Sequence, residues 1–289
     1  MTRGTAVALM IAAPVLWSSA GVVTRHIELA EPVEQVFWRS FFAFAFVAGF
    51  LAFTRRNPVR AARAAGLPGL FSGMLWAVMF TLFVFALSLT SIANALVMMS
   101  ISPLLTAVCA RIVLADPVPL RTWLAALAAM AGIMFMFGAA PKGGEYLGMV
   151  LALVIPVAWA MNAVALRKYS ASVDLIPAIM IGGLVSSLFA LAFAFPISAS
   201  PRDLLLLAFL GFFQIGVGCV FMVLASRTLH APEMALLALL EVVLGTLWAW
   251  LGAGETPALR TLVGGAVVLA ALAGNELATM RRRTALSTG

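Results

Sequence analysis

Pro14-Val-Leu-Trp17, running on to Arg25, has a second copy at Pro156-Val-Ala-Trp159, running on to Arg167. Proline, tryptophan and arginine each lie 142 residues from their counterparts in a chain of 289. A second pair follows in the same order. Asp116-Pro-Val-Pro-Leu120-Arg121-Thr122 recurs as Glu255-Thr-Pro-Ala-Leu259-Arg260-Thr261, at an offset of 139. Self-similarity at half the chain length marks an internal duplication, with residues 1–138 as one copy and 139–289 as the other.

Both copies are too apolar for water. The chain is 64% hydrophobic and 10% charged, with a mean hydropathy of +1.10, whereas soluble domains carry about 25% charged residues. Runs of about 20 apolar residues are what a helix needs to cross a hydrocarbon core. A β-barrel would alternate apolar and polar residues instead. The composition therefore predicts an all-α polytopic membrane protein, with the lipid bilayer as its first partner. Ten spans are expected, at 5–24, 33–53, 66–88, 92–112, 119–138, 147–166, 174–195, 203–225, 232–252 and 258–279. Arg3 ahead of an apolar run resembles a signal peptide. That run is longer than the usual 7–15 residues and carries half of the repeat, so it reads as a retained helix. The tail from Arg281 to Gly289 reads as a frayed end.

Orientation follows from Lys and Arg in short loops. An N-terminus inside the cell places thirteen of them on the cytoplasmic side: Arg3, Arg55, Arg56, Arg60, Arg63, Arg111, Arg121, Arg167, Lys168, Arg227 and Arg281 to Arg283. Four remain outside, Arg25, Lys142, Arg202 and Arg260, with Arg39 inside a span. Both termini are thus expected to be cytoplasmic. The net charge of +7 belongs to this loop bias, so no nucleic-acid partner is expected. Five spans per copy is an odd number, so the second copy enters the membrane upside down. Two inverted five-helix repeats are the architecture of secondary transporters, with a substrate site near the midplane between them.

The same features resemble the EamA-like branch of the drug/metabolite transporter superfamily. The resemblance rests on Trp17-Ser18 before an outer loop with Pro32, on Arg39 in the second span and on Pro103 in the fourth. An acid after the fourth and ninth spans (Asp116, Glu255) adds to it, as does Leu240-Glu241-Val242, which is similar to a Leu-Glu-Pro pattern. Val242 stands where that pattern has proline, which removes the expected helix break there. The start Trp17-Ser-Ser-Ala-Gly-Val-Val-Thr-Arg25 looks most like aromatic-amino-acid exporters of the YddG type. The resemblance implies efflux of small metabolites across a bacterial inner (plasma) membrane.

Candidate site residues come from faces at helical spacing. Pro14, Trp17, Ser18 and Gly21 share one face, and Pro156, Trp159, Ala160 and Ala163 share its counterpart, with Asn162 alongside. Proline frees a backbone carbonyl, tolerated at membrane depth only against protein or a wet cavity. Helix breaks are therefore expected at Pro14, Pro156 and Pro103; a packed kink is the alternative. Trp76, Phe80 and Phe83 form an aromatic stripe that either holds an apolar side chain or packs between helices. Asn94, Met98 and Ser102 offer amide, thioether and hydroxyl groups to an amino acid; helix–helix bonding is the plainer reading, and Gln214 has the same two. Glu241 is placed near the midplane, where an ionised carboxylate costs about 2.5 kcal/mol or more. It binds an ammonium, carries a coupling proton or joins helices. Arg39 lies near the outer boundary and reads as a snorkelling anchor; countering a substrate carboxylate or pairing with Glu241 is the alternative. The glycine series Gly66/Gly69/Gly73, Gly211/Gly218 and Gly264/Gly265/Gly274 permit close helix contact.

The function expected is a secondary transporter that exports small metabolites, amino acids including aromatic ones, by alternating access. Efflux of hydrophobic cationic drugs and uncoupled facilitation of another metabolite are the alternatives. A channel would need charge rings or carbonyl filters, which are not present. Cys109 and Cys219 lie in apolar runs and His26 and His230 near span ends, so no metal, cofactor or enzyme site is expected. Oligomeric state is not legible.

Overall fold

The computed structural model of the chain describes residues 1–24, 26–90, 92–115, 117–137, 146–253 and 259–287, without the side chains of 92–94, 137, 246, 249–250, 252–253, 276 and 279–287. Among these there is no strand. Arg25, Lys142, Asp116 and Glu255, used above for the repeat and the loop charges, lie outside the described residues, as does the Asn94 side chain.

Ten helical segments follow one another where hydropathy placed them. The first is Arg3–Trp17 with Ser19–Thr24, the second Pro32–Phe53, the third Pro58–Leu89, and the fourth Ile92–Met99 with Ser102–Val113. Leu120–Phe137, Tyr146–Tyr169 and Ile176–Leu191 are the fifth to seventh. Pro201–Phe209, the π-helical Leu210–Val217 and Gly218–Ala225 make the eighth. The ninth is Ala231–Ala238 with Leu240–Ala253, and the tenth Leu259–Ser287. Six of them are long and apolar enough to cross a membrane; the apolar parts of the fifth, seventh and tenth are shorter. Large apolar side chains such as Phe53, Leu67, Ile112 and Leu205 are exposed on the outside of the bundle, as a lipid-facing surface requires. The tenth helix continues to Ser287 instead of fraying after 279.

Local sequence explains most starts and few of the breaks. Asn57 and Ser200 cap the third and eighth segments by accepting from Arg60 N and Asp203 N, each with proline at the first turn. Pro14 and Pro156 do not break their helices. Both are buried inside runs that continue past them, and packed neighbours hold a proline bend that would otherwise end the helix. The first segment breaks at Ser18 instead, the fourth at Ser100-Ile101 just before Pro103, and the ninth at Leu239. The ninth therefore breaks ahead of Glu241 without any proline at 242. The third segment kinks at Gly66, whose φ is +56°.

The second, third and seventh segments pack at the centre. Ser186 exchanges hydrogen bonds with Ser40 and Thr81, both at 2.9 Å. Gly183 lies so close to the second segment that a Cβ there would come within 2.8 Å of Ser40 O, a contact only glycine permits. The fifth and tenth pack separately through Ala129, Ile133, Val268 and Leu272, with Thr122 donating to Asn275 Oδ1 at 3.1 Å.

Candidate substrate site

Two of the breaks are joined in the interior. Ser18, at the break in the first segment, donates to Val15 O and accepts from Trp248 Nε1 at 2.9 Å. Trp248 lies two turns beyond Glu241 on the second piece of the ninth segment. Trp17, one residue before the break, meets Trp159 edge-on with ring centres 5.5 Å apart. Its indole lies against Gly218, where a Cβ would come within 2.4 Å of Nε1. Two tryptophans 142 residues apart in the chain are therefore in direct contact.

The third segment supplies the facing wall. Trp76 stacks on Phe80 at 5.5 Å. One turn before Trp76, Ser72 donates to Asn162 Oδ1 at 2.6 Å. Arg39 reaches this wall from the second segment: its Nη2 donates to Phe80 O at 2.8 Å and its guanidinium carbon sits 5.4 Å from the Phe83 ring centre. With 4% of its surface exposed, Arg39 is an interior residue and not the snorkelling anchor expected from its position. Depth along a helix does not report which way a side chain turns, and this one turns into the bundle.

Glu241 begins the helical piece that follows the Leu239 break. It is half-buried and makes no hydrogen bond to any described residue. The Arg39 guanidinium is the charged group that acts on it. In the second, third, sixth and eighth segments, Arg39 Nε, Trp76 Nε1, Trp159 Nε1, Asn162 Nδ2 and Gln214 Oε1 are buried without a hydrogen-bond partner. Each such atom costs about 1–3 kcal/mol if left unsatisfied. The arrangement offers one acid, one base, two amides and several aromatic faces to a small molecule.

The remaining expected residues divide. Gly21 faces open space, with nothing within 4 Å of a built Cβ. Met98 is half-buried against the central core. Ser102 uses its hydroxyl on Met99 O, as Ser18 does on Val15 O. Ala163 is buried in the packing core, as Trp17 and Trp76 are. Ser72, Cys219 and Trp248 were not anticipated as site residues. Ser72 lies four residues before Trp76 and Trp248 seven after Glu241, so helical spacing could have found both. Cys219 is five residues from Gln214, a spacing brought onto one face by the π-helical stretch. Among the described residues no three His, Cys, Asp or Glu groups converge as a metal would require.

A ten-segment apolar bundle with a charged, aromatic centre belongs to the class of polytopic helical membrane proteins. The model of the EamA-like transporter family matches residues 4–138 and 146–275, and the chain belongs to that family, one of transporters rather than enzymes. A crystal structure described only as that of a protein has the same fold, with a TM-score of 0.82 and 19% identity over 97% of this chain and 99% of that one. No curated protein matches the chain.

Proposed function

We propose that the protein is a secondary transporter that exports small metabolites, amino acids including aromatic and hydrophobic ones, from the cytoplasm across a bacterial inner membrane. Both termini are cytoplasmic in this reading. Residues 1–138 and 139–289 act as inverted halves that expose the central site to one side and then the other. The two stretches matched by the family and the contact between Trp17 and Trp159 support that division. The observation that carries the function is the Glu241 carboxylate, without a hydrogen bond among the described residues, in an apolar bundle whose inner segments also hold unpartnered buried polar atoms and indole rings.

Counterflow in proteoliposomes tests it. Vesicles loaded with unlabelled phenylalanine and given labelled phenylalanine outside should accumulate label transiently. Glu241→Gln and Trp17→Ala should each lower the initial rate at least tenfold. Flat wild-type traces from folded protein would remove aromatic amino acids as substrates. Wild-type rates in both variants would remove the site.

Efflux of hydrophobic cations is the second reading, favoured by an acid within a span of a bundle that also holds buried indoles. A quaternary cation that suppresses phenylalanine counterflow, and is itself accumulated, would support it. Counterflow indifferent to an imposed pH gradient would identify an uncoupled facilitator.

A further inference from the structure

From Gln35 to Ala115, and again from Tyr146 to Val173, the chain carries no acid. Apart from Arg39, the bases of those stretches collect at the N-terminal end of the bundle. Among them are Arg60 and Arg63 ahead of the Gly66 kink, Arg111 in the last turn of the fourth segment and Lys168 in the last turn of the sixth. These four are exposed, and none forms an ion pair with a described residue. Asp174, the acid that follows the sixth segment, is taken by Arg56 and Arg227.

The third segment and the second piece of the fourth both pack on the sixth, and a hollow of about 370 Å³ lies among the three. Leu67 and Phe71, Cys109 and Val113, and Met161 and Tyr169 line it, each pair from one face of its helix. Leu67, Phe71, Val113 and Met161 are exposed, so the hollow opens on the flank of the bundle. Lys168 is the charged residue of the lining, and its Nζ lies 5.7 Å from the Tyr169 ring centre. From Met161 to Lys168 is about 10 Å of helix, within the half-thickness of about 15 Å that one leaflet contributes to the hydrocarbon core.

We propose that this hollow holds an acyl chain of an anionic phospholipid from the leaflet at the N-terminal end, with the headgroup phosphate on Lys168. An apolar hollow on the flank of a membrane bundle is filled by lipid chains, and its depth confines it to one leaflet. Charge selects the lipid. Basic pockets between spans attract anionic headgroups, and here the three lining helices carry no acid to compete for Lys168. A zwitterionic headgroup would bring its own cation to a place that has no acid to receive it. The site is separate from the centre of the bundle. Phe71 and Met161 line the hollow, whereas their chain neighbours Ser72 and Asn162 bond each other in the interior.

The full-length protein in detergent is given palmitoyl-oleoyl-phosphatidylglycerol, which is anionic, or the phosphatidylcholine with the same chains. In a Cys219→Ser background, Cys109 in the wall of the hollow reports occupancy through its rate of modification by N-ethylmaleimide. Mass spectrometry of the intact protein counts the lipid retained. Phosphatidylglycerol should slow Cys109 at least fivefold and phosphatidylcholine less than twofold. Lys168→Gln should abolish that preference, and Lys168→Arg should keep it. Val113→Trp, which puts a larger side chain at an exposed rim position, should cut retained phosphatidylglycerol at least fivefold. Equal protection by the two lipids, or a preference that survives Lys168→Gln, would mean ordinary solvation by lipid chains and overturn the proposal. Protection by neither lipid, or undiminished retention in Val113→Trp, would overturn it as well. A Cys109 already protected without lipid, in a protein that migrates as a dimer, would give the hollow to a second copy of the chain instead.

Discussion

At the end of the bundle that carries the N-terminus, the first half of the chain meets the second through long side chains. Arg56 and Arg227 converge on Asp174, and Arg3 pairs with Glu233 at 3.1 Å. At the opposite end the contacts run to backbone. Glu34 accepts from Ser198 N, Ala199 N and the Ser198 and Trp38 side chains, and Asp203 accepts from Glu28 N and Leu29 N. Among the described residues Glu28–Arg202 is the exposed ion pair added there. The layers beneath differ too. Met10, Leu166, Met222, Leu229 and Met234 close the N-terminal end with fully buried side chains. Toward the other end Gly21, Phe83, Glu241 and Trp248 are half-buried. Ion pairs between flexible side chains exchange partners with little loss, whereas a carboxylate holding backbone N–H groups fixes the loops themselves. Ion pairs between long side chains thus join the N-terminal end, and carboxylate-to-backbone bonds join the other.

Three substitutions break or sharpen that contrast. Glu34→Ala strips several buried donors of their acceptor and should cost about 4 kcal/mol, read as a lowered unfolding midpoint in detergent. A loss no larger than that of an exposed pair would erase the distinction between the ends. Asp174→Asn should cost only about 1 kcal/mol of stability. Its larger signature is access, because a shift of that size changes an open population about fivefold. In a Cys109→Ser background, Cys219 should react about fivefold faster with an impermeant thiol reagent applied at the N-terminal face. Unchanged reactivity there would make the Asp174 cluster a static brace. Glu28→Gln removes an exposed pair and should alter stability by about 0.5 kcal/mol or less; a greater loss would show that the exposed pair is part of the frame.

Hydropathy was enough to locate all ten segments, because a bilayer demands length and apolarity of each one. It did not locate the breaks. Proline chemistry pointed to Pro14 and Pro156, where buried neighbours keep the helix intact, and pointed away from 242, where the chain breaks three residues earlier. A break depends on what the freed backbone finds in the fold, which a single residue type does not encode. The aromatic stripe Trp76/Phe80/Phe83 and the pair Trp17/Trp159 were legible from spacing and repeat. Arg39 was not. On a helix apolar all round, periodicity has no polar face from which to tell inside from outside, so its partnership with Phe80 O appears only in three dimensions.

The eighth segment's π-helical turns, Leu210–Val217, have a further consequence. A π-helix holds more residues per turn than an α-helix, so this stretch stores a surplus residue between Asp203 at one end and Cys219 at the other. Deleting one residue elsewhere in a span rotates everything beyond it by about 100°. Deleting one within 210–217 lets the stretch rewind toward α geometry and leaves Asp203 and Cys219 on their present faces. The segment is the place in this chain where length can change while both ends keep their bearings.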